Sequence, residues 1–235
     1  MRKESNPRPR FAAKGLAVLY EDKDILVVDK PAGLLTVSNQ WEKSRTAHSI
    51  LTDYIRKGCG RSRKGLFVVH RLDRDTSGVL IFAKSEEAML RLKDRWKQTE
   101  KKYLTVVHGR CEKTSDTITS YLAEDEDYIV HSTSDSAEGK LAHTAYTVLR
   151  ITKNLSLLEV TLLTGRKNQI RVHLAGIGHP IVGDTKYGKE NDLQPRMALH
   201  ARSISFNLPF SGERLTFESE VPEFFEKLTG RIYNR

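Results

Sequence analysis

The sequence predicts an α+β fold built on a mixed, mainly antiparallel sheet with accompanying helices. Three observations lead there. Short apolar runs with strand character dominate the chain. They are separated by brief connections, most densely after residue 100, so strands pair mainly with near neighbours. No internal repeat, low-complexity stretch or convincing linker divides the 235 residues, a length that holds one large domain or two small ones.

Each element has its own signal. Residues 25–29 read as a strand, and Lys30-Pro31-Ala32-Gly33 as the turn that ends it. Residues 47–57 carry helical spacing through Ile50, Leu51, Tyr54 and Ile55, and stop at Gly58-Cys59-Gly60. Residues 67–69 and 79–83 are β-branched apolar runs, read as buried strands. Ser85, with Glu86 and Glu87 in the first turn, starts a helix expected to reach Gln98. Strands follow at 103–108, 117–122, 128–131, 142–151 and 156–163. Asn168 is positioned to cap a short helix through Ala175, stopped by Gly176, Gly178 and Pro180. Residues 199–208 and 214–218 are the last strands, and 223–228 a terminal helix.

Composition narrows the classes. Hydrophobic residues at 38% and charged residues at 29% describe an ordinary soluble protein, and no apolar run nears membrane-spanning length. Residues 1–10 are basic but contain Glu4, Pro7 and Pro9 and no apolar stretch, so no secretory signal is expected in them. Residues 1–15 are read as a flexible basic tail, and 16–235 as a single domain. Cys59 and Cys111 stand in unrelated surroundings, so no disulfide framework is expected and a reducing, cytoplasmic compartment fits. The eight histidines are scattered, without zinc spacing, and no metal is expected.

The formal charge of +9 is clustered. Arg56, Lys57, Arg61, Arg63 and Lys64 precede the segment 67–84, and Arg91, Lys93, Arg95, Lys97, Lys101 and Lys102 follow it. Such clusters suit a groove that tracks phosphates. Part of the second is simply the wet face of a helix whose other side carries Met89, Leu92 and Trp96. Residues 124–127 (Glu-Asp-Glu-Asp) form an acidic patch with no assigned role, read as a solvated turn.

Between the strands at 67–69 and 79–83 lies an almost wholly polar connection holding Arg71, Asp73, Arg74, Asp75, Thr76 and Ser77. It reads either as a functional rim on a rigid sheet or as a charged hairpin with surface ion pairs. Positive neighbours favour the ionised form of a carboxylate at Asp73, suited to a nucleophile or an electrostatic stabiliser.

The words around it are more specific. His70-Arg71-Leu72-Asp73-x-x-Thr76-Ser77-Gly78, with Ala83-Lys84 after it, resembles the signature of the RluA family of RNA pseudouridine synthases. Lys30-Pro31-Ala32-Gly33, Lys102-Tyr103-Leu104, the run from Gly165 to His173, the run from Gly178 to Gly188, and Leu199-His200-Ala201 resemble the family's further motifs. They occur in the right order from Leu16 to Leu228.

The resemblance implies two half-domains flanked by helices and facing a central active-site cleft, in the form without an N-terminal accessory RNA-binding domain. It implies that uridine in ribosomal or transfer RNA is isomerised to pseudouridine, without a cofactor. Asp73 matches the essential aspartate, Arg171 the arginine that pairs with it, and Tyr103 the tyrosine that packs on the base. Arg71 matches the residue that replaces the flipped-out nucleotide. Whether the aspartate attacks sugar or base, or removes a sugar proton, stays open. Lys30, Arg166, Lys167 and Lys186 are the candidate phosphate contacts. His70 and His173 read as packing and hydrogen-bonding residues, and Asp75 as a loop cap. Asn168 stands where many relatives have His. The expected partner is a short structured stem-loop of ribosomal or transfer RNA bound by a monomer, with no membrane involved.

Rival classes fare worse. His-Arg-Leu-Asp superficially resembles a kinase catalytic loop, but neither a glycine-rich nucleotide loop nor Asp-Phe-Gly accompanies it. A glycoside hydrolase built on Asp73 is opposed by the basic charge and by the 8% aromatic content. The remaining alternative is a non-catalytic RNA-binding or RNA-folding protein on the same fold. Such a protein has little reason to keep Asp73, Tyr103 and Arg171 together.

Overall fold

The computed structural model describes residues 10–13, 15–38, 45–57, 59 and 61–232. The chain divides into two compact units interleaved in sequence. Unit 1 comprises Met1–Thr99 and Ser203–Ser219, and unit 2 comprises Glu100–Arg202 and Glu220–Arg235.

In unit 1, β1 (Arg10–Ala13), β2 (Leu16–Glu21), β3 (Ile25–Lys30) and β5 (Ser77–Ala83) pair in that order, each antiparallel to the next. The short β4 (Phe67–Val68) also pairs with β5. Part of the expected tail is therefore strand, because the backbone of residues 10–13 extends the sheet. Residues 1–9 of that tail lie outside the described residues.

All seven residues of β5 are buried, which explains its unbroken apolar run. On one face Ile25, Val27, Val79, Ile81 and Ala83 pack with Ala88 and Leu92 of α2 (Glu86–Asp94). The other face meets α1 (Ala47–Arg56), where the His48 ring lies 6.0 Å from Phe82. Each large apolar side chain buried here contributes roughly 1.5–3 kcal/mol.

Helix boundaries follow from side-chain chemistry. Thr46 Oγ1 accepts the Ser49 N–H at 3.2 Å while the Ser49 hydroxyl accepts the Thr46 N–H at 3.0 Å, a reciprocal cap for α1. Ser85 accepts the Ala88 N–H at 3.1 Å and starts α2 as expected. That helix ends at Asp94, and residues Trp96–Gln98 form a separate 3-10 turn.

In unit 2, β6 (Glu100–His108), β10 (Leu155–Leu162), β9 (Lys140–Ile151), β7 (Ser115–Glu124) and β8 (Val130–Thr133) are neighbours in that order, each pair antiparallel. Helix α3 (Gln169–Gly176) lies over β9, and its Val172 packs with Leu122, Val130 and Ala142. Asn168 does not cap α3: it takes the left-handed conformation (φ 52°) and makes no capping side-chain bond. Gln169 instead braces the segment leading into α3, its Oε1 accepting the Arg166 N–H (3.0 Å) and the Thr164 hydroxyl (2.8 Å).

Strand β11 (Leu199–Asn207) contributes residues to both units; its second half pairs antiparallel with β12 (Arg214–Glu218) in unit 1. Helix α4 (Glu223–Thr229) closes unit 2, and Arg150 Nη1 donates to the carbonyl of Thr229 at 2.9 Å. Among the described residues no helix is long and apolar enough to cross a membrane.

Candidate active site

The polar segment at the head of β5 is held by its backbone on both sides of Asp73. The Thr36 hydroxyl donates to the Leu72 carbonyl (2.8 Å) and accepts the Leu72 N–H (3.2 Å). On the other side the Arg74 carbonyl accepts the Gly33 N–H at 2.9 Å and the Lys30 ammonium at 3.0 Å. The Asp73 carbonyl accepts the Thr76 N–H at 3.3 Å and closes the turn. Asp73 is half-buried, while Arg71 and Arg74 are exposed beside it. His70 accepts the Ile81 N–H (3.2 Å) and its ring lies 5.0 Å from that of Trp96, the packing role expected of it.

Lys30 is not a phosphate contact. Its side chain is fully buried, and Nζ donates to the carbonyls of Pro31 (2.9 Å), Leu34 (2.7 Å) and Arg74 (3.0 Å). Three acceptors match the three N–H groups of an ammonium. Lys30 therefore ties the turn after β3 to the Asp73 loop.

Tyr103, on β6, is 8% exposed. Register places it opposite Val160, which faces Tyr146 on β9. Thr144, two residues before Tyr146, meets α3 through Gln169 Nε2 (2.9 Å) and His173 Nδ1 (2.9 Å). Side chains two residues apart on a strand share a face. Tyr103 thus points to the sheet face that α3 covers, the helix carrying Arg171.

Within unit 2 the carboxylate gripping Arg171 is Asp184. Arg171 Nε donates to Oδ2 at 2.8 Å and Nη2 to Oδ1 at 2.7 Å, a bidentate pair. The Asp184 side chain is fully buried and the Arg171 side chain 12% exposed. Burial would raise the Asp184 pKa, but the Arg171 hydrogen bonds and charge, with the Tyr187 and Lys186 N–H groups, hold it below the usual carboxylate range. The guanidinium also lies 5.0 Å from the centre of the Tyr187 ring.

Two motif glycines make this packing possible. A Cβ at Gly183 would lie 2.0 Å from the Arg196 carbonyl oxygen, and one at Gly188 would lie 1.8 Å from that of Asp184. The sequence reading contained both glycines but gave Asp184 and Tyr187 no role. The signal it passed over is an aspartate between close-packed glycines.

Beneath α3 lies a buried polar chain: His173 Nδ1 meets Thr144 Oγ1, and its Nε2 meets Ser120 Oγ at 3.1 Å. Burial, with His143 nearby, pushes the His173 pKa down to about 4, so its ring stays neutral near pH 7.

The other predicted phosphate contacts sit at the surface of unit 2. Arg166 Nε donates to the Leu141 carbonyl (3.2 Å). Lys167 pairs with Glu124, and it and Lys186 (3.0 Å) both donate to the Tyr128 carbonyl. The acidic turn is thus partly paired: Glu124 meets Lys167, while Asp125 accepts the N–H groups of Asp127 and Ile129. Among the described residues no group of three or more His, Cys, Asp or Glu is placed to hold a metal ion.

Comparison with known proteins matches this arrangement to one class. The profile of the family described as RNA pseudouridylate synthase matches residues 24–176. An uncharacterised RNA pseudouridine synthase of Mycoplasma pneumoniae is 34% identical over 216 residues, covering 89% of this chain and 68% of that protein. The ribosomal large subunit pseudouridine synthase D of Nitrosomonas europaea is 35% identical over 244 residues, covering 98% and 69%. The solved human RNA pseudouridylate synthase domain containing 4 superimposes with a TM-score of 0.73 at 26% identity, covering 88% of this chain and 89% of its own. The class is that of RNA-modifying isomerases, which turn uridine into pseudouridine within the chain. The protein belongs to the RNA pseudouridylate synthase family, of the RluA type its motifs resemble.

Proposed function

We propose that the protein isomerises a uridine of ribosomal RNA, with Asp73 as the reacting carboxylate. The observation that carries this is the backbone clamp on Leu72 and Arg74, which fixes Asp73 at the rim of β5 while leaving its side chain half-buried. A group that must meet a reacting bond gains most from such pre-positioning.

The reaction breaks the bond from uracil N1 to C1′, turns the base and rejoins it through C5. C5 gives up its hydrogen as a proton and N1 takes one, so atoms balance without redox chemistry. Asp73 serves as the reacting carboxylate, either as the nucleophile toward sugar or base or as the base that takes a sugar proton. Tyr103 packs on the base, and Arg171 supplies fixed positive charge. Arg71, exposed two residues before Asp73, takes the place of the extruded nucleotide. Arg166, Lys167 and Lys186 contact phosphates. Lys167 must then exchange its hold on Glu124, and both lysines theirs on the Tyr128 carbonyl, for RNA.

The ribosomal target draws its support from the Nitrosomonas relative, whose name specifies the large ribosomal subunit. We place the enzyme in the cytoplasm, a reading supported by its two free cysteines, and take it to act as a monomer. The test is tritium release from RNA labelled at uridine C5. Wild type is expected to release tritium from ribosomal and not transfer RNA, and Asp73→Asn to release none. Equal release by Asp73→Asn, or none by wild type on either pool, overturns the assignment.

A further inference from the structure

Unit 1 has a concave feature at the opposite end of β5 from the Asp73 loop. A cavity of about 610 Å³ is bounded by the last turn of α1, the β2–β3 turn, the segment before β4 and the residue following β5. Lys23, Lys57, Lys64 and Lys84 line it, with Glu21 the one carboxylate among its lining residues.

The walls are tied together. Arg56 Nε donates to the Lys64 carbonyl at 2.7 Å, and the Lys84 N–H donates to the Asp24 carbonyl at 2.8 Å. Glu21 is already engaged: Lys84 Nζ reaches its Oε1 at 2.7 Å and the Tyr54 hydroxyl its Oε2 at 3.0 Å. Lys23, Lys57 and Lys64 are exposed and, among the described residues, have no carboxylate partner. Three like charges round one concavity repel each other until an anion enters. The sequence had marked Lys57 and Lys64 as part of a basic cluster without saying what they surround.

We propose that this lysine pocket binds backbone phosphates of the substrate RNA at a distance from the target uridine. The idea rests on the RNA substrate of the family. Lys84 follows Ser77 by seven residues along and just past β5. At about 3.3 Å per residue the pocket lies roughly 23 Å from the signature loop. That span covers on the order of seven stacked nucleotides. The pocket therefore holds the flanking RNA, not the reacting nucleotide, and sets register without reading sequence.

The test combines Lys23→Ala, Lys57→Asn and Lys64→Ala in the full chain. Asn is chosen at 57 because Lys57 ends α1 in the left-handed conformation (φ 51°), which Asn tolerates. Binding is measured against salt concentration on two ribosomal RNA fragments carrying the modified uridine. One extends past the span to the pocket, and the other stops well short of it.

On the long fragment the triple variant is expected to bind on the order of tenfold more weakly. Its slope of log K against log salt should be shallower by about 2 to 3. On the short fragment, variant and wild type should coincide. An unchanged slope on the long fragment, or an equal loss on both, overturns the proposal. Tritium release by the wild type is scored in parallel. An inactive wild type rejects the functional reading, whereas an active wild type with unchanged slopes rejects the pocket alone.

Discussion

The Asp73 loop and the Arg171 helix are held in place by different physics. Around Asp73 the fixed points are main-chain groups: Leu72 and Arg74 are gripped by Thr36, Gly33 and Lys30, while the Asp73 side chain stays half-buried. Around Arg171 the fixed points are side chains, with Asp184 in a bidentate pair and a His173–Thr144–Gln169 chain beneath the helix. A backbone clamp leaves the Asp73 carboxylate accessible. A side-chain clamp ties the arginine to the protonation state and desolvation of its neighbours.

That contrast breaks most sharply at Asp184. Asp184→Ala leaves the Arg171 guanidinium almost buried without the carboxylate that grips it in unit 2, and should cost about 3–5 kcal/mol. Denaturant unfolding checks this, and a loss under 1 kcal/mol would show that the pair is not what holds Arg171.

Acid is the next lever. The unfolded chain protonates His173 near 6.5, whereas the native ring takes a proton only near 4. The stability this ring contributes is complete above pH 6.5 and is lost as pH falls toward 4, by roughly 3 kcal/mol in all. Denaturation midpoints of wild type and His173→Gln, compared across that range, should converge as pH falls. Parallel curves would remove His173 from the account.

The loop's own test is smaller in stability and larger in function. Lys30→Met leaves the carbonyls of Pro31, Leu34 and Arg74 without their shared donor, at a cost of about 2 kcal/mol. Because the Arg74 carbonyl adjoins Asp73, kcat should fall more than KM rises. If KM alone changes, Lys30 belongs to RNA binding after all and the comparison between the two clamps loses one side.

Much of this was legible in the chain. The run through β5 and the Ser85 cap each carry a local signal that the structure keeps, whereas the expected buried strand at 67–69 is the two-residue, half-buried β4. Lys30 was misread because a lysine beside Pro31 looks solvated. Its burial depends on the Arg74 carbonyl, 44 residues away in sequence. Asp184 was passed over for a similar reason, since its burial comes with pairing to Arg171 and with the close backbone packing at Gly183 and Gly188. Residues 10–13 were swept into the tail because Arg-Phe-Ala-Ala has no period-2 pattern, and what orders them is backbone pairing with β2.

Lys30 has one more consequence. Its ammonium sits among carbonyl oxygens as a metal cation would, but a covalent tether keeps it from diffusing away. Mobile salt does not reach a fully buried charge, so the potential it casts on the neighbouring loop is nearly independent of ionic strength. RNA capture should weaken steeply as salt rises, while the tie between the turn after β3 and the Asp73 loop holds. The fold thus carries its own permanent cation where the turn after β3 meets the Asp73 loop.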